Sequence, residues 1–431
     1  MKKGNFITAS VFMVISILFL TGGGSEREDT PKAVPQLPGA GKKLEDFVPE
    51  GWEIYDSVEL DFNGDGLVDC VGILRETDMD VVEYAWNPEE FPRILFALAG
   101  DGTAGYRLDF QDNSLIRDRG GDLTAEGASF TTHTVSGSML RWSPDHPNDT
   151  RAEKENTYTW SEGSWRQTLS EEYYGYGDYI TEYVKNDWKN GVKIRKKRSS
   201  ALEEIEKNYK LEEYENRESI VYDVTYELAL EEGPFTLKEL ERQRELSPYH
   251  VIGWDVEKVV FAEGVELSED MVKMPDEELP GVSCEWNENY VLYAFSSDSD
   301  TDREFYYIAM YCRQDKTLLV SAMEESEIDD IHCCKGKIYY AVKSREGEAV
   351  VGVRLNRVDL DKSGKETIFE YRYPKTERKM MENEMPSLGL YFEIGGDEIV
   401  AQVYTGGGNP TPFYRMKTDG SGLEEIGQIP K

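Results

Sequence analysis

The nine residues from Asp61 to Asp69 constrain the fold of this chain more than any other stretch. They read D-x-N-x-D-G-x-x-D and lie between two segments with the composition of β-strands. Residues 52–60 alternate between apolar and polar side chains, and residues 70–74 form an apolar run. Because only a short loop separates them, we expect the two strands to pair as an antiparallel hairpin.

The same loop offers the oxygen atoms of a calcium site. The predicted ligands are Asp61, Asn63, Asp65, Leu67 through its carbonyl, and Asp69. Hard oxygen ligands in a flexible loop suit calcium, but an EF-hand or a dockerin needs an acid at the twelfth position, where this chain has Gly72. The alternative is a plain hairpin turn without a metal. Three converging aspartates would repel one another unless a cation lay between them, so we predict a structural calcium ion that pins the hairpin.

This part of the chain resembles single-copy relatives of the FG-GAP or VCBS-type repeat found in bacterial surface lipoproteins. The residues that carry the resemblance are the strand ending at Leu60, the loop from Asp61 to Asp69, and the apolar strand after it. The resemblance implies an FG-GAP-like β-domain over residues 44–200. The motif occurs once, so an integrin-like propeller is not expected. Further alternating segments, such as 129–135 and 157–160, predict an antiparallel meander.

The N-terminus has the pattern of an export signal. Lys2 and Lys3 precede an uncharged, mostly apolar stretch over residues 6–20, which is shorter than the roughly 20 residues of a membrane span. Residues 20–23 resemble a bacterial lipobox, with Gly23 where the lipid-modified cysteine would be. We predict a signal peptide with a degenerate lipobox over residues 1–23 and an extracytoplasmic protein, secreted or associated with the cell surface. An uncleaved N-terminal membrane anchor is the alternative.

Three further segments complete the predicted organisation. Residues 24–43 are rich in glycine, proline and charge, which is typical of a flexible tether. Between residues 201 and 250 the apolar spacing becomes helical, and Thr236 with Glu239 forms a predicted capping box for a helix that ends at Leu246. Residues 201–250 are therefore predicted to be a short helical linker between two β-domains.

A loose internal repeat fills residues 251–431. Outgoing strands begin at Tyr290, Lys337 and Glu398, and each leads to a returning strand and an acidic turn. The pattern resembles the TolB-like or lipoprotein-receptor-like propeller segments of bacterial envelope proteins, most closely over residues 414–422. It implies a partial propeller-like β-domain of three units, or four if residues 256–261 form one. The predicted fold class for the whole chain is mainly β.

Several residue groups allow two interpretations each. The basic run Lys193–Arg198 either contacts an anionic polymer or membrane, or supplies counter-charge to an acidic face of the protein itself, which is the favoured interpretation. The odd number of irregularly spaced cysteines favours buried thiols, with one bridge from Cys312 to Cys333 or Cys334 as the alternative. Adjacent tyrosines such as Tyr173 and Tyr174 point to opposite faces of a strand, so at most one of each pair could line a binding surface.

The sequence offers little support for catalysis or for nucleic-acid binding. A formal net charge of -36 repels phosphate backbones. The four histidines are scattered, and H-E-x-x-H, G-x-S-x-G and P-loop motifs are absent. We therefore predict no catalytic residues, no cofactor besides calcium, and a non-catalytic envelope or secreted protein that binds a protein, peptide or glycan at the cell surface. Membrane contact is expected only through the N-terminal segment, if it is retained. An extracytoplasmic hydrolase acting on carbohydrate or peptide is the alternative, and an accessory or sensor subunit is a third interpretation.

Overall fold

The structure of the protein is a computed structural model, and the chain is mainly β as predicted. The structure describes residues 34–77, 93–103, 105–113, 115–116, 121–137, 150–176, 179–199, 217–246, 256–262, 265, 267, 272, 284–297, 305–346, 349–359, 365–373, 389–405 and 410–430. The predicted signal peptide, the first predicted linker helix over residues 201–214 and the predicted strand over residues 138–142 lie outside these ranges. Within them, no helix has the length and apolar composition that crossing a bilayer requires.

The described chain divides into two compact units. The first contains the described residues up to 227 together with 233–241, and the second contains 228–232 and the described residues from 242 onward. In the first unit, an antiparallel sheet has the order β1-β5-β4-β3-β2. Its strands are β1 (Ala40–Gly41), β2 (Trp52–Leu60), β3 (Asp69–Glu76), β4 (Ile94–Gly100) and β5 (Tyr106–Asp112), and a 3-10 helix spans Leu44–Phe47.

The second sheet of this unit is a long meander in which β6 to β12 pair in chain order, while β13 pairs with β9. Its strands are β6 (Asp122–Glu126), β7 (Ser129–Gly137), β8 (Thr150–Ser161), β9 (Ser164–Tyr176), β10 (Tyr179–Asp187), β11 (Val192–Lys197), β12 (Val224–Ala229) and β13 (Phe235–Thr236). Helix α1 (Leu237–Glu245) follows β13, and a 3-10 helix spans Arg217–Ser219. An aromatic core of Phe62, Phe130 and Trp165 joins the two sheets.

The boundaries of the first unit differ from the prediction at both ends. The flexible tether predicted over residues 24–43 is wrong for its described part, because Leu37 is buried and Ala40–Gly41 pairs with β5. The helical linker predicted over 201–250 is also wrong in part, because β12 extends the second sheet and its V-T-Y-E-L-A sequence buries alternate side chains. The predicted helix after Thr236 is present, and Leu237 and Leu240 pack on the core of the first unit.

The capping box of α1 forms as the sequence indicates. The backbone N–H of Glu239 donates to Thr236 Oγ1 at 3.2 Å, and the backbone N–H of Thr236 donates to the Glu239 carboxylate at 2.7 Å. Each side chain therefore satisfies a backbone donor that the first helical turn leaves without an intrahelical partner.

Among its described residues, the second unit contains three sheets that follow one another in the sequence. The first contains β14 (Lys258–Phe261), β15 (Cys284–Trp286), β16 (Tyr290–Ser297), β17 (Phe305–Cys312) and β18 (Thr317–Glu324). The second contains β19 (Ile328–Cys334), β20 (Lys337–Glu346), β21 (Ala349–Asp359) and β22 (Lys365–Arg372). The third contains β23 (Gly389–Gly395), β24 (Glu398–Tyr404), β25 (Thr411–Lys417) and β26 (Glu424–Ile429). Strands β15–β18, β19–β22 and β23–β26 are antiparallel meanders, so each of the three predicted units corresponds to one sheet.

The middle sheet is buried on both faces because its side chains alternate between two cores. Tyr340 lies in the core shared with the sheet of β15–β18, and Tyr339 lies in the core shared with the sheet of β23–β26. The possible fourth unit at residues 256–261 is not a separate sheet, since β14 pairs in parallel with β18. It instead extends the first of the three sheets, and its apolar residues add to the core on the outer face of that sheet.

A substitution at Gly72 would test how closely the β2–β3 hairpin packs against β4. A Cβ at Gly72 would lie 2.4 Å from Cζ of the buried Phe96 ring, whereas a Cβ at Gly39 would meet nothing within 4 Å. We expect Gly72→Ala to lower the free energy of unfolding by about 1–3 kcal/mol through overpacking. Gly39→Ala is the matched control, and urea unfolding of both variants checks the prediction. Equal unfolding midpoints would contradict it.

Candidate functional site

The loop between β2 and β3 folds around its own polar side chains. The two carboxylate oxygens of Asp61 accept the backbone N–H groups of Gly64 and Gly66 at 2.8 and 2.9 Å. The side chain of Asn63 contacts Asp65 twice, accepting its backbone N–H at 2.9 Å and donating to its carboxylate at 3.0 Å. Gly64 and Gly66 have φ of 73° and 82°, which side chains disfavour. Asp61, Asn63 and Asp65 are therefore brought together in one tight, exposed turn.

Asp69 has a different position from the other predicted ligands. Its side chain is fully buried, and its two oxygens accept the backbone N–H groups of Phe62 at 3.0 Å and Gly100 at 2.8 Å. Burial raises the pKa of this carboxyl, while the two backbone donors oppose that rise. Asp69 thus ties both ends of the loop to the neighbouring β4–β5 turn.

The fit of this loop to a calcium ion can be judged from its oxygen atoms. Asp61 and Asp65 are exposed, and a carboxylate that accepts one N–H per oxygen keeps further lone pairs for a cation. Asp69 also accepts one N–H per oxygen, but unlike Asp61 its side chain is fully buried, and the Leu67 side chain packs against Gly100 and Gly102. Among the described residues, which include the whole loop, no group of three His, Cys, Asp or Glu side chains is gathered closely enough for a metal ion. Calcium binding here stays a prediction, with Asp61, Asn63 and Asp65 as its best-placed ligands.

The basic run is strand β11, and its alternate cations point toward acids on the same sheet. Arg195 donates to Glu182, and Lys197 Nζ lies 3.6 Å from the same carboxylate. Burial would raise the pKa of Glu182, but Arg195 and Lys197 outweigh it and lower that pKa. Burial lowers the pKa of Lys197 to about 8 and that of Lys193 well below its ordinary value. The run therefore supplies counter-charge within the sheet, which agrees with the favoured interpretation.

The opposite face of this sheet carries a partly exposed group that no sequence motif indicated. His133 Nε2 lies 3.3 Å from the buried carboxylate of Glu153, and this contact raises the pKa of the imidazole. Arg217 donates to Glu155 at 2.6 Å and lies over the ring of Tyr173, 4.7 Å from its centroid. We call these side chains the His133 group. The residues come from β7, β8, β9 and a 3-10 helix, so no short stretch of sequence contains them.

A second centre missed from the sequence is the buried His332 on β19. Its Nδ1 lies 3.1 Å from Glu285 on β15, and its Nε2 lies 3.2 Å from Asp330. Burial opposes a charge on this imidazole, but Asp330 and Glu285 outweigh it and raise its pKa to about 10. Glu285 also accepts the hydroxyl of Tyr290 and the backbone N–H of Cys333. The side chains that would act as acid and base here are enclosed between sheets.

The five cysteines and the adjacent pair Tyr306 and Tyr307 behave as core residues. All five cysteines are free thiols, so the alternative of a bridge from Cys312 is not realised. Burial raises the pKa of Cys70, Cys284 and Cys333 to about 12, which makes them poor nucleophiles. Tyr306 and Tyr307 pack into opposite cores, as strand alternation requires.

Comparisons with known proteins give no family for this chain. No family model and no curated protein matches it. Among solved structures it is similar to the AtxE2 isopeptidase in its apo form, with 12% identity, a TM-score of 0.26, and coverage of 87% of this chain and 52% of that one. It is also similar to the polysaccharide lyase Uly1, with 10% identity, a TM-score of 0.23, and coverage of 86% and 77%. The chain spans about half the length of the isopeptidase, and likenesses this weak carry no inference about function.

Asp69 yields a prediction about the loop. Replacing one acceptor oxygen by an amide in Asp69→Asn leaves a backbone N–H of Phe62 or Gly100 without its partner. We expect a loss of about 1–3 kcal/mol in the free energy of unfolding, measured by urea denaturation in EGTA. Asp101→Asn, at an exposed carboxylate that accepts the backbone N–H of Thr103, is the matched control and should lose less. An equal loss in both variants would refute the role of Asp69.

His332 yields a prediction about pH. Its folded pKa of about 10 lies above the ordinary value of 6.5, so its charge stabilises the fold fully below pH 6.5 and progressively less up to about pH 10. We expect His332→Gln to cost a few kcal/mol at pH 6, and the difference from wild type to shrink toward pH 10. Chemical denaturation of wild type and His332→Gln across this range is the measurement. A difference that stays constant with pH would exclude a charged His332.

Proposed function

We propose that this protein is a non-catalytic binding module, exported to the bacterial cell envelope or secreted, with a structural calcium ion in the Asp61–Asp69 loop. Its partner would be a protein, peptide or glycan at the cell surface. The observation that carries the proposal is the division of roles within the loop. Asp69 is buried and fixes the loop ends, while Asp61 and Asp65 keep exposed oxygen atoms in one turn.

The division of roles matters because a structural cation needs ligands that are already positioned. The backbone hydrogen bonds to Asp61 and Asp65 orient these carboxylates before any cation arrives, which lowers the entropic cost of binding. Calcium tolerates irregular coordination and water ligands, so a turn with three protein side chains suffices for a weak extracellular site. Such a site would stabilise the β2–β3 hairpin without taking part in a reaction.

The placement of other reactive side chains also favours a binding role. His332 and Glu285 interact with each other between sheets, and Glu324 is buried where it accepts from Tyr340, Asn356 and Lys365. These groups join strands of the second unit. Their interactions stabilise the fold, and substrates in solution would not reach them.

The His133 group favours a second candidate, an extracytoplasmic hydrolase acting on carbohydrate or peptide. His133 is partly exposed and held by the buried carboxylate of Glu153, an arrangement in which an imidazole can act as a general base. Arg217 beside it could bind an anionic intermediate. This candidate predicts turnover that is lost in His133→Ala.

Calcium binding is tested by thermal unfolding of the whole protein in millimolar calcium and in EGTA. A ligand present at 100 times its Kd stabilises the folded state by about 2.7 kcal/mol, so a higher melting temperature in calcium is expected. Asp65→Ala should abolish this difference. Asp419→Ala, which removes an exposed carboxylate from a different turn, should keep it. Identical wild-type curves in calcium and EGTA would refute the site.

The binding role is tested with the same protein on glycan and peptide arrays, followed by analysis of any bound compound for cleavage. We expect retention of an intact ligand. Cleavage that disappears in His133→Ala would overturn the non-catalytic proposal in favour of the hydrolase.

A further inference from the structure

Two tyrosines on the last sheet differ from every other aromatic side chain of the described residues. Tyr391 is 52% exposed and Tyr404 is 40% exposed, and no other aromatic side chain whose burial the structure describes is exposed. Single exposed apolar residues are ordinary, but two aromatic rings on one surface need a reason.

The two rings are neighbours on one face of the sheet. Tyr391 on β23 pairs with Gln402 on β24, and Tyr404 lies two residues further along β24. Side chains two residues apart on a strand share a face, and such diagonal neighbours are about 7–8 Å apart. Gly389 pairs directly with Tyr404 and has no side chain, so nothing from that position separates the rings.

Polar groups border these rings on one side. A Cβ at Gly389 would lie 3.5 Å from the Tyr391 ring and 3.6 Å from Asp329 Oδ2, which places the Asp329 carboxylate beside the ring. Lys343 Nζ lies 3.3 Å from Asp329 and 2.9 Å from the exposed Glu327. The surface thus combines two exposed aromatic rings with three charged groups in a row, which are the Asp329 carboxylate, the Lys343 ammonium and the Glu327 carboxylate. We call these five residues the Tyr391 surface.

The position of this surface is fixed by the strands beneath it. Asp329 accepts the backbone N–H of Leu390 at 3.3 Å, and Asp330 accepts that of Phe392 at 3.0 Å, so β19 is held against β23. Leu390 and Phe392 are buried in the core below. A ligand would therefore meet a preorganised surface, which reduces the entropic cost of binding.

We propose that the Tyr391 surface binds a neutral carbohydrate, with sugar rings on Tyr391 and Tyr404 and sugar hydroxyls bonded to Lys343 and the exposed Glu327. This inference rests on the proposed binding function and names the ligand class. Exposed aromatic rings match the C–H faces of sugar rings, and a carboxylate beside an ammonium matches neighbouring hydroxyls that both donate and accept. Two carboxylates against one ammonium, on a chain with a net charge of -36, disfavour anionic polymers and anionic lipid.

The test is calorimetric titration of the full chain with defined probes. The neutral probes are hexasaccharides of glucose, mannose, xylose and N-acetylglucosamine. The other probes are a hexamer of galacturonic acid and a polyproline peptide. We expect binding of at least one neutral hexasaccharide, and Tyr391→Ala and Tyr404→Ala should each weaken it about tenfold or more, as loss of an aromatic anchor does.

Matched variants separate stacking from general damage to the fold. Tyr391→Phe keeps the ring and should bind within about twofold of wild type, whereas Glu327→Gln, at an exposed carboxylate, should bind more weakly. Leu423→Ala removes another exposed apolar side chain of the second unit and should leave binding unchanged. The thermal melting temperature of each variant is compared with wild type to confirm folding.

Three outcomes would overturn the inference. They are no binding of any neutral hexasaccharide, equal binding by the Tyr391→Ala/Tyr404→Ala double variant, and preference for galacturonate or polyproline. Binding of polyproline, or binding that does not depend on the tyrosines, would refute this site while the binding function stands. Cleavage of a bound hexasaccharide would refute the non-catalytic function while the site stands.

Discussion

Buried carboxylates that accept backbone N–H groups from neighbouring strands or loops recur through this structure, and both units depend on them. Asp69 holds the β2–β3 loop against the start of the β4–β5 turn, and Glu285, Asp329 and Asp330 connect β15 to β19 and β19 to β23. Edge strands present backbone donors that a facing sheet cannot pair by itself, and a carboxylate placed there satisfies them. The negative charge of these carboxylates is balanced by nearby cations, and His332 balances the charge of Glu285 and Asp330.

This use of carboxylates changes how so acidic a chain should be interpreted. A net charge of -36 indicates a strongly solvated surface, but part of the acidic content lies inside and has specific partners. Glu182 is held charged by Arg195 and Lys197, so the basic run that stands out in the sequence neutralises its own sheet. The composition suggests that charged side chains lie on the surface. In these places they are part of the interior.

The candidate sites of this protein differ in how they are built. The Asp61–Asp69 loop is local, since its oxygen atoms and its glycines lie within nine residues. The His133 group and the Tyr391 surface are assembled across strands that are distant in the sequence. In the second unit, aromatic side chains are buried in the cores between neighbouring sheets. Tyr391 and Tyr404 lie on the outer face of the last sheet, where they are exposed to solvent.

The sequence by itself determined the mainly β class, the hairpin around Asp61–Asp69, the capping box of α1 and the three-sheet division of the second unit, because period-2 patterns and turn residues act over short distances. It misplaced the boundaries near residues 43 and 200, where the two-residue β1 pairs with β5 and the alternating segment β12 pairs with β11 across residues 198–223. Only the tertiary structure decided that Asp69 faces the interior, that His332 joins Glu285, and which tyrosines stay exposed. Each of these depends on contacts between residues tens of positions apart, and strand alternation specifies a face of the sheet without specifying what covers that face.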